Sequence, residues 1–134
     1  MIGPLGPPRV SIRPVGAAKR DGDRWRVNWA IANDEPLGIR VALINAPHSQ
    51  FRSDQTRVDV LLREGASTVV PLRVHVGGEP GSEIENAFVI LTIDHAARQW
   101  RLMVRVRVII GHTGAPLLRV ETITSQRVGF SAKV

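Results

Sequence analysis

A chain of 134 residues with 43% hydrophobic and 22% charged side chains has the composition of one globular domain, which excludes wholesale disorder, collagen-like repeats and coiled coils. It contains no cysteine, so disulfide stapling, thiolate catalysis, iron–sulfur clusters and cysteine-ligated zinc are excluded, and the core alone must hold the fold. The formal charge of +6 comes from eighteen basic residues against twelve acids, and Lys19 and Lys133 are the only lysines. Polyphosphate binders usually carry Lys and Arg together in runs, whereas here single arginines are spaced among acids.

In chain order, residues 1–8 are rich in Gly and Pro and read as an extended lead-in to a single domain over 9–134. This start has neither the basic nor the apolar region of a signal peptide, and no later apolar run is long enough to span a bilayer. A cytoplasmic location without a membrane partner is therefore expected, although a domain cut from a longer secreted or anchored chain would look the same.

A first short strand is predicted from Arg9 to Val15, with Pro14 confining it to a sheet edge. The Asp21-Gly22 turn delivers the chain into a strand in which Trp25, Val27, Trp29 and Ile31 alternate with Arg24, Arg26, Asn28 and Ala30. Asn33-Asp34-Glu35-Pro36 ends it. Ile39, Val41 and Leu43 are then expected to point inward and Arg40, Ala42 and Ile44 outward. Residues 45–56 read as a long polar loop whose one large apolar residue, Phe51, plugs the core edge.

Val58, Val60 and Leu62 make a short strand, turned by Arg63-Glu64-Gly65-Ala66. Thr68, Val70, Leu72, Val74 and Val76 make another, whose Pro71 must point its missing donor away from a ladder. After a Gly-rich loop over 77–83, residues 87–93 are apolar on both parities and are expected to be covered on both sides. Residues 94–98 form a hairpin turn into a long strand over 100–110. There Trp100, Leu102, Val104, Val106, Val108 and Ile110 share one face, and Arg101, Met103, Arg105, Arg107 and Ile109 the other. A final strand or bent pair runs from Leu118 to Phe130. Seven or eight strands with regular turn signals and no helical periodicity predict an all-β antiparallel sandwich, with a closed barrel as the alternative.

The run Trp-x-Val-x-Trp-x-Ile-x-Asn over 25–33, the following alternation, the Pro-containing loop, the short strand ending at Gly65 and the strand over 68–76 together resemble bacterial immunoglobulin-like and fibronectin type III-like modules. The resemblance covers roughly residues 9–110; the inter-sheet disulfide and tyrosine corner of such folds are absent, since the chain has neither Cys nor Tyr. It implies an immunoglobulin-like sandwich serving as a binding, spacer or assembly module, and it transfers no catalytic residue.

No catalytic residue, cofactor or metal ligand is expected. His48, His75, His95 and His112 lie in four separate segments without ligand-pair spacing, so an enzymatic reading would need His48, His95 and His112 to converge in space. The closest acid–base pair, Asp94-His95, sits in a turn. Asp21 and Asp23 lack the remaining ligands of a calcium loop, no serine lies in a nucleophile elbow, and Gly77-Gly78 precedes no helix or lysine that would cradle phosphate. The three tryptophans fall on inward parities and read as core.

What is left is the arginine face. If the strands holding Arg24 and Arg26 and Arg101, Met103, Arg105 and Arg107 were neighbours, these six residues would form one binding face. Their charge would be neutralised by Glu83, Glu85, Glu121 or Asp59, or by a partner. The function expected is protein–protein contact, self-association included, through this face; the alternative is polyanion or nucleic-acid binding.

Overall fold

The structure is a computed structural model, described here over residues 6–129. The first five residues of the expected lead-in, and Phe130 at the end of the expected last strand, lie outside the described residues. The described chain is all β, with ten strands: β1 (Val10–Asp21), β2 (Arg24–Asn33), β3 (Ile39–Asn45), β4 (Pro47–His48), β5 (Phe51–Arg52), β6 (Thr56–Leu62), β7 (Ser67–Val76), β8 (Glu83–His95), β9 (Arg98–Ile110) and β10 (Pro116–Arg127). They form two antiparallel five-stranded sheets, ordered β1-β2-β7-β5-β4 and β10-β9-β8-β3-β6. Both sheets keep open edges, so the closed barrel does not form. None of the described residues lies in a helix long and apolar enough to cross a membrane.

The alternation read in residues 100–110 is realised in β9, where Leu102, Val104, Val106, Val108 and Ile110 are buried. They lie beside Ala87, Val89, Leu91 and Ile93 of β8, and across the sandwich Val27, Trp29, Ile31, Leu72 and Val74 complete one continuous core. Such inward-facing aliphatics bury on the order of 1.5–3 kcal/mol each, and no cross-link supplements them. The outer face of β8 is only partly covered: Phe88 and Ile90 are half-buried, and Thr92 is buried beneath its longer neighbours.

The β8–β9 hairpin is tighter than its sequence suggests. Strand pairing continues to His95 opposite Arg98, leaving Ala96 and Ala97 as a two-residue turn with φ of 52° and 63°. Left-handed conformation at both central residues matches the twist of a hairpin but costs a residue with Cβ about 1–2 kcal/mol.

Several expectations are corrected. In β3 the register shifts between Val41 and Leu43 against both neighbours, and this bulge reverses the parity, so Ala42 and Ile44 are buried and Leu43 faces outward. The supposed loop over 45–56 contains the short hairpin β4–β5, which extends the first sheet past β7 and seats Phe51 opposite Val76, fully buried. β1 runs on to Asp21 because an irregularity between Val15 and Lys19, with Gly16 at φ 72°, lets the ladder resume. Trp29 and Trp100 are buried, but Trp25 near the start of β2 is only half-buried, with the Arg20 guanidinium 5.3 Å from its ring centroid.

Two polar details close the frame. Buried Asn33 donates from Nδ2 to the carbonyls of Leu37 and Leu62 and accepts from the Glu35 amide, so the turn after β2 carries its own partners. Pro71 sits in β7 where β2 pairs on one side and β5, reaching only His75 and Val76, leaves the other side open. In the 77–83 loop a Cβ on Gly78 would fall 2.3 Å from Ile110 Cδ1, so a larger residue there requires the Ile110 side chain to shift.

Two outcomes test this description by urea unfolding. Phe51→Ala should lose about 3–5 kcal/mol, as expected of an enclosed aromatic and not of a loop residue. Ala96→Asn with Ala97→Gly should gain about 1–2 kcal/mol; a loss would mean that the turn is not left-handed.

Candidate binding faces

The six arginine-face residues do not come together. β2 pairs with β1 and β7, whereas β9 pairs with β8 and β10, so Arg24 and Arg26 lie on the outer face of one sheet and Arg101, Met103, Arg105 and Arg107 on that of the other. The expectation of a single face is thereby corrected. Each half also has its own electrostatic fate.

On the β9 face the arginines are answered by acids. Arg107 Nη1 donates to Glu83 at 2.8 Å and lies 3.8 Å from Glu85, while its Nε donates to Glu121 at 3.1 Å. Arg105 Nε lies 3.7 Å from Glu121. The hydrogen bond to Glu83 first, and then the one to Glu121, raises the Arg107 pKa above its ordinary value. Asp59 serves other strands: it binds Arg40, whose pKa is raised by its hydrogen bond to Asp94 and by Asp59, and it lies 3.6 Å from Arg57. Of the three arginines in the strip, Arg101 differs from Arg105 and Arg107 in having no acid within ion-pair distance among the described residues. With half-buried Met103 it borders a depression of about 260 Å³ that is also lined by Asn45, Gln55, Gln99 and Gln126. Beside the strip, β10 sets Thr124 opposite Met103 and Leu117 opposite Ile109.

On the other sheet like charges are stacked and only partly compensated, with Asp21 standing opposite Arg24. Lys19 pairs with Arg26 and Arg26 with Arg73, so three cations stand side by side across β1, β2 and β7. Direct opposition of like charges is unfavourable in a sheet. The row's one ion pair among the described residues joins Arg73 Nε to Asp21 at 3.0 Å. Arg24 and Arg26, with Asp21, Asp54, Pro71 and Arg73, line a depression of about 400 Å³. Further along this face exposed Arg13 of β1 stands opposite Ala30, Ala30 and Asn28 lie opposite Val69 and Pro71 of β7, and Val69 is 57% exposed. Arg73 and Lys19 escaped the sequence reading. Arg73 did alternate outward in its strand, but only the sheet order brings it to Arg26.

The histidines are dispersed. His95 and His112 flank opposite ends of the thirteen-residue β9, about 40 Å apart at strand rise, so His48, His95 and His112 do not converge. Asp94 and His95 also part company: Asp94 faces outward to Arg40, while His95 is buried with Nε2 3.4 Å from Glu35 Oε1. Glu35 in turn accepts from the backbone and side-chain nitrogens of Arg9. A larger depression of about 590 Å³ beside this end is lined by Arg40, Leu61, Arg63, Asp94, His95 and Ala97, among others. Asp21 is committed to Arg73, away from any calcium loop.

No family model matches the chain, and comparison with curated proteins and with solved structures likewise gives no match.

Removing Arg107 leaves Glu83, Glu85 and Glu121 facing one another, so Arg107→Ala should lower the melting temperature by an amount that shrinks as salt is added. Arg101→Ala should leave it unchanged. Equal effects of the two in a thermal scan would contradict the separation of paired from unpaired arginines.

Proposed function

We propose that this chain is a non-enzymatic binding module of immunoglobulin-like connectivity, which docks an acidic protein surface on the outer face of the β1-β2-β7 sheet. The observation that carries the reading is the Lys19–Arg26–Arg73 row with Arg24 beside it, four cations that among the described residues share one ion pair, from Arg73 to the Asp21 that stands opposite Arg24. A row of like charges raises the free energy of the isolated protein, and an anionic partner relieves it. On the same face, exposed Val69 and Pro71 form a small apolar patch beside Ala30, and exposed Arg13 on the far side of Ala30 adds a further cation. That combination suits a protein surface better than a phosphate backbone, which offers nothing to an apolar patch, and among the described residues the outer face carries no aromatic platform on which bases could stack.

The immunoglobulin-like part is supported by the order in which the chain changes sheets. β1 and β2 pair in one sheet, β3 lies in the other, β7 returns beside β2, and β8 and β9 follow beside β3. This order is consistent with the alternation of an immunoglobulin-type sandwich to which β10 is added outside β9.

Titration with poly-L-glutamate and with duplex DNA, at low and at physiological salt, tests the proposal. Poly-glutamate binding should fall steeply with salt and weaken about tenfold or more, roughly 1.4 kcal/mol or beyond, in Arg26→Glu and Arg24→Glu, while Arg101→Glu leaves it intact. No binding at low salt, equal loss in Arg101→Glu, or tighter capture of DNA than of poly-glutamate would overturn it.

A further inference from the structure

A hollow on the outer face of the β10-β9-β8-β3-β6 sheet follows from the register. Leu43, Thr92, Arg101 and Gln126 stand in one row across β3, β8, β9 and β10, and Asn45, Ile90 and Met103 stand in the next. Thr92 is the short member of its row, between the longer Leu43 and Arg101, so the surface sinks there into the depression of about 260 Å³. Half-buried Leu43, Ile90 and Met103 give it an apolar floor. Asn45, Gln55, Gln99 and Gln126 stand round it as four carboxamides, with the Arg101 guanidinium among them.

Few of these polar groups are used within the fold. Among the described residues, the side chains of Asn45, Gln55, Gln126 and Arg101 make no hydrogen bond or ion pair, and Gln99 donates from Nε2 to Asp94 Oδ1 at 3.2 Å, which leaves its own side-chain oxygen open. Thr92 is the most informative residue. It is only 8% exposed, yet its hydroxyl has no partner among the described residues and is not sealed from the hollow that it lines. A hydroxyl at such depth costs free energy unless something bonds it, and a polar guest in the hollow supplies that bond.

We propose that this hollow binds one sugar residue carrying a carboxylate, a hexuronate. Each carboxamide both donates and accepts, and so matches neighbouring ring hydroxyls, which do the same. The apolar floor takes the C–H face of the ring. Arg101, a rigid fork of donors with no acid beside it, pairs with the carboxylate. Other ligand classes fit less well. No aromatic side chain lines the hollow to stack a nucleobase. β3, β8 and β9 are each paired on both sides, so an extended peptide finds no free backbone to join. The site lies on the other sheet from the Lys19–Arg26–Arg73 row and goes beyond the acidic-partner reading without resting on it.

Heteronuclear correlation NMR sees backbone and carboxamide N–H groups separately, and it tests the site by titration with sodium glucuronate, glucose and sodium acetate. Glucose offers the hydroxyls alone and acetate the carboxylate alone. Glucuronate should saturate in the millimolar range, as expected of about a dozen non-hydrogen atoms in an open site, and should shift the signals of Thr92, Asn45, Gln55 and Gln126. Glucose and acetate should each bind about tenfold more weakly or worse. Arg101→Gln should abolish the preference for glucuronate over glucose, Gln126→Leu should weaken both sugars, and Arg26→Gln should change neither. All three positions are exposed, so each variant keeps the fold. Acetate binding as tightly as glucuronate would reduce the site to an anion contact, and glucose binding as tightly would remove the carboxylate from the assignment; either overturns the proposal. So does the absence of shifts in the millimolar range, or shifts confined to residues outside the hollow. Failure here leaves the acidic-partner reading standing, because that reading is tested at Arg24 and Arg26.

Discussion

The packing of β9 against β8 is the contact on which the rest of the molecule depends. Two thirteen-residue strands run antiparallel from a two-residue turn, and every second side chain along β9 from Leu102 to Ile110 enters the core. With no cysteine in the chain, this dry layer and the indole of Trp29 across from it must carry the stability that a cross-link would otherwise share. The same alternation that buries the aliphatics drives Arg101, Arg105 and Arg107 outward. Core and charge are two sides of one periodicity.

Where those outward charges end up is decided by strand neighbours. β9 lies between β8 and β10, which bring Glu83, Glu85 and Glu121 to Arg105 and Arg107, so its cationic strip is answered within the fold. β2 lies between β1 and β7, which bring Lys19 and Arg73 to Arg26 and add to the charge already there. A chain with an even scatter of arginines thus acquires one neutralised face and one strongly positive one. Exposed pairs of this kind contribute little to stability, so the asymmetry speaks to recognition more than to folding.

Much of the fold was legible in the sequence because two-residue alternation reports burial directly: β2, β7 and β9 lie where their apolar parity put them, and the all-β sandwich follows. The misreadings have local causes. At Ala42 a bulge inserts one residue, and alternation carries no mark of an insertion when both neighbours are apolar. Residues 47–52 pair by backbone hydrogen bonds that polar side chains do not advertise, although Phe51 signalled the buried position. Trp25 looked like core because its parity is right, but it lies near the strand end, where it is half-buried beneath the Arg20 guanidinium. The candidate site was legible residue by residue and not as a whole, since Arg26 and Arg73 are far apart in sequence and meet only through sheet order.

Sheet order is therefore the claim to test first, and backbone nuclear Overhauser contacts measure it directly. The account requires cross-strand contacts from Arg26 to Arg73 and Lys19, and from Arg105 to Phe88 and Thr122. Contacts between the backbones of residues 24–33 and 98–110 as adjacent strands would contradict it, because they would merge the two arginine sets into one face.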